Sequence, residues 1–135
     1  MKLRILVADD NSEFLRMMAL ILEAEFEVVA TATDGQSALE AVRSCLPDLV
    51  VLDLEMPLLN GIDVTRELAN HSPATRTVIC SVETDPEIVE TAVAAGAMGY
   101  VFKSRIETDL ILAVRSVARG QVFVSSDGRP PFTTA

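Results

Sequence analysis

The chain has 135 residues, half of them hydrophobic and 23% charged, and its formal net charge is −9. This length fits one domain whose hydrophobic core is large enough without disulfides or a structural metal. The acidity argues against nucleic-acid binding by this segment itself, because Lys and Arg supply most of the affinity for nucleic acid. No stretch approaches the roughly 20 apolar residues of a membrane span, and Cys45 and Cys80 form no zinc or disulfide motif, which indicates a reducing, cytoplasmic location.

Short apolar runs alternate with longer segments of helical period along the chain. In order, the runs that predict strands are 3–8, 28–31, 48–52, 77–80 and the run that begins after Gly99. The first helix buries a face built on Phe14, Met18 and Leu22. Asp34 is the predicted N-cap of the second helix, Pro86 takes the first helical position of the fourth, and Gly120 ends the fifth.

This alternation predicts an α/β fold, a doubly wound parallel sheet of five strands with helices on both faces. Residues 1–124 are expected to form the domain. Residues 125–135 have the Ser, Asp, Gly and Pro content of a linker, and we expect a flexible tail or the start of a linker there.

Polar side chains follow four of the predicted strands: Asp9 and Asp10, then Asp53, Ser81 and Lys103. Open α/β sheets bind ligands at the carboxyl ends of their strands. Three carboxylates at that edge repel one another unless a cation joins them, and Mg²⁺ is the hard cation that fits best. A carboxylate can form an aspartyl phosphate, for which a lysine and a hydroxyl are suitable neighbours. In isolation, the Asp pair fits a helix N-cap equally well.

Four segments resemble the receiver domain of bacterial two-component response regulators. They are LVADD at 6–10, VVLDLEMPLLNG at 50–61, CS at 80–81 and AAGAMGYVFK at 94–103. The resemblance covers residues 3 to about 124, and the segment from Gly99 to Gly120 is most similar to the NarL-type subfamily. It implies the flavodoxin-like receiver fold with strand order 2-1-3-4-5.

Carried over by position, the resemblance makes Asp53 the phosphoacceptor and assigns Mg²⁺ to Asp9, Asp10, Asp53 and the backbone carbonyl of Glu55. Three further residues would sense the phosphoryl group: Ser81 through its hydroxyl, Lys103 through its charge and Tyr100 through its rotamer. The implied protein is a signalling switch that assists its own phosphorylation and slow dephosphorylation, and is not otherwise an enzyme.

The implied partner is a histidine kinase or a phosphotransfer protein that presents phosphohistidine. The surface of the fourth helix, fifth strand and fifth helix would change its partner preference, with a homodimer as one outcome. DNA would be bound only through a domain absent from this chain, and no membrane is involved. Two alternatives stay open: a stand-alone receiver that controls a protein partner, and a degenerate receiver that acts as a constitutive interaction module.

Two departures from the family pattern lead to further expectations. Glu55 and Glu83 each lie two residues after a key position, and we expect them to adjust how water reaches the phosphoryl group and hence the lifetime of the signal. Ser104 stands where many receivers have proline, so the family geometry would place a cis bond at Lys103–Ser104 at a cost of about 2.5–4 kcal/mol.

Two rival functions share parts of this pattern. A flavodoxin-like mononucleotide binder needs a Gly- or Ser/Thr-rich loop after the first strand, whereas the acidic segment 8–11 would repel phosphate. A phosphatase of the haloacid dehalogenase kind needs a second Asp two residues after the nucleophile, and Glu55 occupies that position.

Overall fold

A single parallel sheet forms the centre of the protein in the computed structural model, which describes residues 2–126. Its strands are β1 (Arg4–Ala8), β2 (Glu27–Ala32), β3 (Leu49–Leu52), β4 (Arg76–Ser81), β5 (Gly99–Phe102) and β6 (Phe123–Val124). Their order is β2-β1-β3-β4-β5-β6, and every neighbouring pair is parallel. The predicted order 2-1-3-4-5 of the first five strands is confirmed.

Five helices connect the strands: α1 (Ser12–Glu23), α2 (Gly35–Cys45), α3 (Gly61–His71), α4 (Pro86–Ala95) and α5 (Ile106–Ala118). A 3₁₀ turn, Lys103–Arg105, lies between β5 and α5. Asp34 accepts a hydrogen bond from the Ser37 amide and caps α2, and Asp85 caps α4 ahead of Pro86, so both predicted helix starts are confirmed.

The hydrophobic core has two halves, one on each face of the sheet. Successive strand residues point to opposite faces, so Leu6 and Val50 pack toward α2 and α3 while Val7 and Val51 pack toward α1 and α5. Because helices cover both faces, β3 is apolar throughout and β1 is apolar after Arg4. The first polar side chains of these two strands therefore follow their carboxyl ends.

Two expectations are wrong. The sheet has a sixth strand, since Phe123 and Val124 pair in parallel with Gly99 and Tyr100 of β5. A strand of two residues is too short to show a period of two, which is why the sequence pattern did not reveal it. No peptide bond within residues 2–126 is cis, so Lys103–Ser104 is trans; without a proline, nothing lowers the cost of the cis form there.

Candidate functional site

The carboxyl ends of the adjacent strands β1 and β3 bring two aspartates together. The Asp53 amide donates to the Ala8 carbonyl at 2.9 Å, which continues the ladder and sets Asp53 beside Asp9. Asp9 is fully buried, Asp53 is nearly so and Asp10 is exposed. One carboxylate oxygen from each of the three lies within 4.8 Å of the others, so the predicted acidic cluster is present.

Asp9 is held from two sides. Its Oδ1 accepts the Asn11 amide at 2.8 Å, and its Oδ2 lies 2.7 Å from Lys103 Nζ. The N-cap of α1 is Asn11, whose side chain accepts from the amides of Glu13 and Phe14. Neither aspartate of the pair therefore has the capping role that the sequence alone allowed.

Lys103 provides the positive charge of the site. It is buried directly after β5, and its Nζ lies 3.4 Å from Asp53 Oδ2 as well as 2.7 Å from Asp9. Burial by itself would lower the pKa of Lys103, but the Asp9 hydrogen bond and the charges of Asp53 and Asp9 outweigh it, so the pKa is raised. The side chain is a fixed ammonium ion.

An aromatic ring completes the surroundings of this ammonium. Lys103 Nζ lies 4.3 Å from the ring centroid of Phe14 on α1, within cation–π range. The helical period placed Phe14 on the inner face of α1, but nothing in the sequence indicated that this face meets Lys103. Phe14 is the site residue that sequence reasoning missed.

One ammonium does not neutralise three carboxylates. Burial, followed by the charge of Asp9, raises the pKa of Asp53 to about 6, although Lys103 and the Leu54 amide act in the opposite direction. Within the described chain, the buried Asp9 Oδ2 has no polar partner other than the Lys103 ammonium. An all-oxygen donor set with surplus negative charge fits Mg²⁺, and Asp9, Asp10 and Asp53 are the residues that would hold it.

Ser81 and Tyr100 are joined through the backbone of Glu83. The buried Ser81 Oγ accepts the Glu83 amide at 3.0 Å, and the Tyr100 hydroxyl donates to the Glu83 carbonyl at 2.7 Å. Burial, with a smaller contribution from the charge of Glu83, raises the pKa of Tyr100 to about 12, although the contact with Ser81 acts to lower it. The tyrosine is thus neutral and turned inward.

The two glutamates expected to affect signal lifetime have different surroundings. Glu83 Oε1 accepts the amides of Thr84 and Asp85, each at 3.1 Å, so this carboxylate is bound within its own loop ahead of α4. Glu55 is exposed in the loop after β3. Its carbonyl as a metal ligand stays a prediction, as do the tuning roles of both side chains.

The loop after Asp53 is fixed by a close backbone approach. The Gly61 amide donates to the Leu54 carbonyl at 2.7 Å, and a Cβ added at Gly61 would lie 2.3 Å from the Asp53 carbonyl oxygen. Only glycine allows the start of α3 to lie this close to the end of β3. The backbone of Asp53 is therefore braced by α3.

Cys80 and His71 have no part in the acidic cluster. Burial raises the pKa of the Cys80 thiol to about 12, which leaves it an inert apolar residue. His71 is exposed near the end of α3, 3.4 Å from Glu67. Among residues 2–126 no helix has the length and apolar character needed to cross a bilayer.

Residues 5–115 match the family model described as the response regulator receiver domain. The chain belongs to this family. As a receiver it is 36% identical over 125 residues to the transcriptional regulatory protein DegU of Brevibacillus brevis, and 34% identical over 126 residues to the probable transcriptional regulatory protein NarL of Mycobacterium tuberculosis. These relatives confirm the predicted NarL-type subfamily.

The alignments cover 91% and 92% of the receiver, which spans 53% of DegU and 58% of NarL. The chemotaxis protein CheY of Thermotoga maritima is 33% identical, over 86% of the receiver and 98% of CheY.

Solved structures agree with the fold. The signal receiver domain of NarL from Mycobacterium tuberculosis superposes with a TM-score of 0.85 at 33% identity, over 89% of the receiver and 98% of that chain. A two-component response regulator of the LuxR family from Aurantimonas gives a TM-score of 0.88 at 30% identity, over 94% and 91%. The flavodoxin-like receiver architecture is thereby confirmed.

Proposed function

We propose that Asp53 accepts a phosphoryl group from phosphohistidine on a histidine kinase or phosphotransfer protein. The supporting observation is the arrangement around its carboxylate: oxygens of Asp9 and Asp10 within 4.8 Å and the Lys103 ammonium 3.4 Å away. A nucleophile with carboxylate metal ligands on one side and a fixed cation on the other suits phosphoryl transfer, where positioning and charge do most of the catalytic work.

In the transfer step, a carboxylate oxygen of Asp53 forms a bond to phosphorus while the P–N bond of phosphohistidine breaks. The imidazole nitrogen leaves with the bonding electron pair and takes up a proton. Asp53 must be ionised to attack, and with a pKa of about 6 it is mostly ionised near pH 7.5. Mg²⁺ bound by the three aspartates would supply positive charge beside the phosphoryl oxygens.

The same residues explain how the phosphoryl group would be sensed. An acyl phosphate that ionises like other phosphorylated side chains carries about −1.5 to −2 of charge, which attracts the Lys103 ammonium and the Ser81 hydroxyl. Since the Ser81 Oγ accepts the Glu83 amide, its movement displaces the loop whose carbonyl holds Tyr100. The surface formed by α4, β5 and α5 would then change its preference for a partner or a second copy.

The output we propose is control of transcription through a DNA-binding domain outside this chain. DegU and NarL are transcriptional regulatory proteins, and the receiver spans little more than half of each. A stand-alone receiver that controls a protein partner is the second candidate, because CheY of Thermotoga maritima matches over 98% of its own length.

Labelling by a small phosphodonor tests the proposed chemistry. Acetyl phosphate with Mg²⁺ is expected to label the wild type and Asp63→Asn, a control that alters a half-buried aspartate of α3 paired with Arg66, but not Asp53→Asn. Label that persists in Asp53→Asn would reject Asp53 as the phosphoacceptor. A wild type that takes no label would favour the degenerate receiver, which the intact Asp9, Asp10, Asp53 and Lys103 otherwise argue against.

Decay of the label tests the two glutamates. Glu55→Asn is expected to change the dephosphorylation rate by altering the access of water directly. Glu83→Ala is expected to act by releasing the Thr84 and Asp85 amides and loosening the loop that follows Ser81. Decay rates equal to the wild type in both variants would show that neither glutamate affects the lifetime of the phosphoryl group.

A further inference from the structure

Ser125 follows the last strand, yet it is bound as firmly as a core residue. It is 5% exposed, and its amide donates to the Tyr100 carbonyl at 2.9 Å. Its hydroxyl accepts the Phe102 amide at 3.1 Å and donates to Asp109 Oδ2 at 2.7 Å. Three hydrogen bonds thus join one serine to β5 and to α5.

Asp109 connects this serine to the turn that carries Lys103. It is buried in the first turn of α5, and its Oδ2 also accepts Arg105 Nε at 3.0 Å. Thr108 Oγ1 donates to its Oδ1 at 3.2 Å. Arg105 belongs to the 3₁₀ turn Lys103–Arg105, so a single carboxylate oxygen links that turn to the segment that leaves β6.

The position of Ser125 makes it responsive to strand β5. Ladder hydrogen bonds of a parallel pair come from backbone groups, but the Phe102 amide is satisfied by a side chain. Phe102 directly precedes Lys103, and Tyr100 lies two residues before Phe102. A displacement of Lys103 therefore acts on the two residues of β5 whose backbone groups hold Ser125.

We propose that Ser125 and Asp109 are positioning residues of the switch, which hold the Lys103 turn in place and couple the direction in which the chain leaves β6 to occupancy of Asp53. The proposal rests on the proposed phosphorylation of Asp53. Charge added there attracts Lys103, the turn shifts against Asp109, and the hydroxyl shared by Asp109 and Phe102 must readjust. Whatever follows Ser125 in the chain then receives the signal directly from β5 as well as through the α4, β5 and α5 surface.

Amide hydrogen exchange on the intact chain measures this coupling. The probes are the Phe123 amide, which donates to Met98, and the Ser125 amide, which donates to Tyr100. Exchange is compared with Mg²⁺ alone and with Mg²⁺ plus beryllofluoride as a mimic of the phosphoryl group. A typical coupling free energy between two sites predicts that beryllofluoride changes the exchange rates of both amides about fivefold or more in the wild type.

Variants separate the hydroxyl from the strand. Ser125→Ala keeps the backbone bonds of β6 but is expected to lose the response to beryllofluoride, and Ser125→Thr, which retains a hydroxyl, is expected to restore it. Ser44→Ala is the matched control, because among the described residues the Ser44 hydroxyl bonds within α2 alone, to the Glu40 carbonyl. It is expected to respond like the wild type.

Reciprocity gives a second measurement. Because coupling is reciprocal, a dependence of the Ser125 hydrogen bonds on Asp53 occupancy implies that Ser125→Ala changes the affinity for beryllofluoride, whereas Ser44→Ala leaves it unchanged.

The wild type alone can overturn the inference. Unchanged exchange at Phe123 and Ser125, with a clear response at the amides of residues 81–83, would refute the coupling and leave the phosphorylation switch intact. No response at either place would refute the switch itself and the coupling with it.

Discussion

Replacing Asp53 with asparagine is expected to stabilise the protein in the absence of divalent cations, although it removes the proposed phosphoacceptor. Burial and the neighbouring charge of Asp9 raise the pKa of Asp53 from 3.8 to about 6. In the unfolded chain the same carboxyl returns to an ordinary value near 3.9. The folded state therefore holds this proton more tightly, and ionised Asp53 opposes folding.

The size of the effect follows from linkage. A shift of about two pKa units corresponds to an upper limit of about 3 kcal/mol, and water at the open edge of the sheet screens part of it, so we expect about 1–2 kcal/mol. Below pH 3.8 both states are protonated and the contribution is absent. It grows as the pH rises toward 6 and is complete above that value.

Urea unfolding in EDTA between pH 3.5 and 8 measures this prediction. The stability gain of Asp53→Asn should be near zero at the acid end and reach its plateau at about pH 7, while Asp63→Asn on α3 shows no such trend. Added Mg²⁺ should stabilise the wild type more than Asp53→Asn, because it binds the folded state through this carboxylate. A variant less stable than the wild type at pH 8, or a gap independent of pH, would refute the reasoning.

Three further substitutions test separate parts of the structure. Gly61→Ala should cost about 3 kcal/mol in urea unfolding, since its Cβ would lie 2.3 Å from the Asp53 carbonyl oxygen; a loss below 1 kcal/mol would contradict that contact. Leu46→Gly should stabilise the protein by about 0.5 kcal/mol, because Leu46 is exposed and strained at φ 48°. Glycine removes that strain, and this gain exceeds the loss from the greater entropy of glycine in the unfolded chain; destabilisation would contradict this balance. Phe14→Leu should slow labelling by acetyl phosphate about twofold to tenfold while Phe14→Tyr stays near the wild type, since only an aromatic ring attracts the Lys103 ammonium; equal rates for both would remove the cation–π contact from the mechanism.

The five longer strands and the acidic cluster were predictable because both depend on local features of the sequence. Each apolar run is long enough to show a buried strand, and the residue directly after a strand must lie at the carboxyl edge of the sheet. That geometry places Asp9 beside Asp53 once β1 and β3 pair, as they do. The family resemblance supplied the order of the strands, which the runs alone do not fix.

What the sequence did not reveal depends on contacts between distant elements. Ser125 has the composition of a linker around it, and only its bonds to Phe102 and Asp109 make it part of the domain. The helical period shows that Phe14 faces inward but cannot show that an ammonium ion from β5 meets its ring. Glu83 lies two residues after Ser81 as expected, yet nearby amides determine where its carboxylate is directed.

Strand β5 is the element through which these separate observations become one mechanism. Tyr100 contacts the loop after β4 through the Glu83 carbonyl, Lys103 contacts Asp9 and Asp53, and the backbone between them holds Ser125. A strand paired on both sides cannot shift at one residue without changing its contacts with both neighbours. A movement of Lys103 should consequently appear at the β4–α4 loop and at β6 together. A response at only one of these places would mean that the side chain of Lys103 moves while its backbone stays in position.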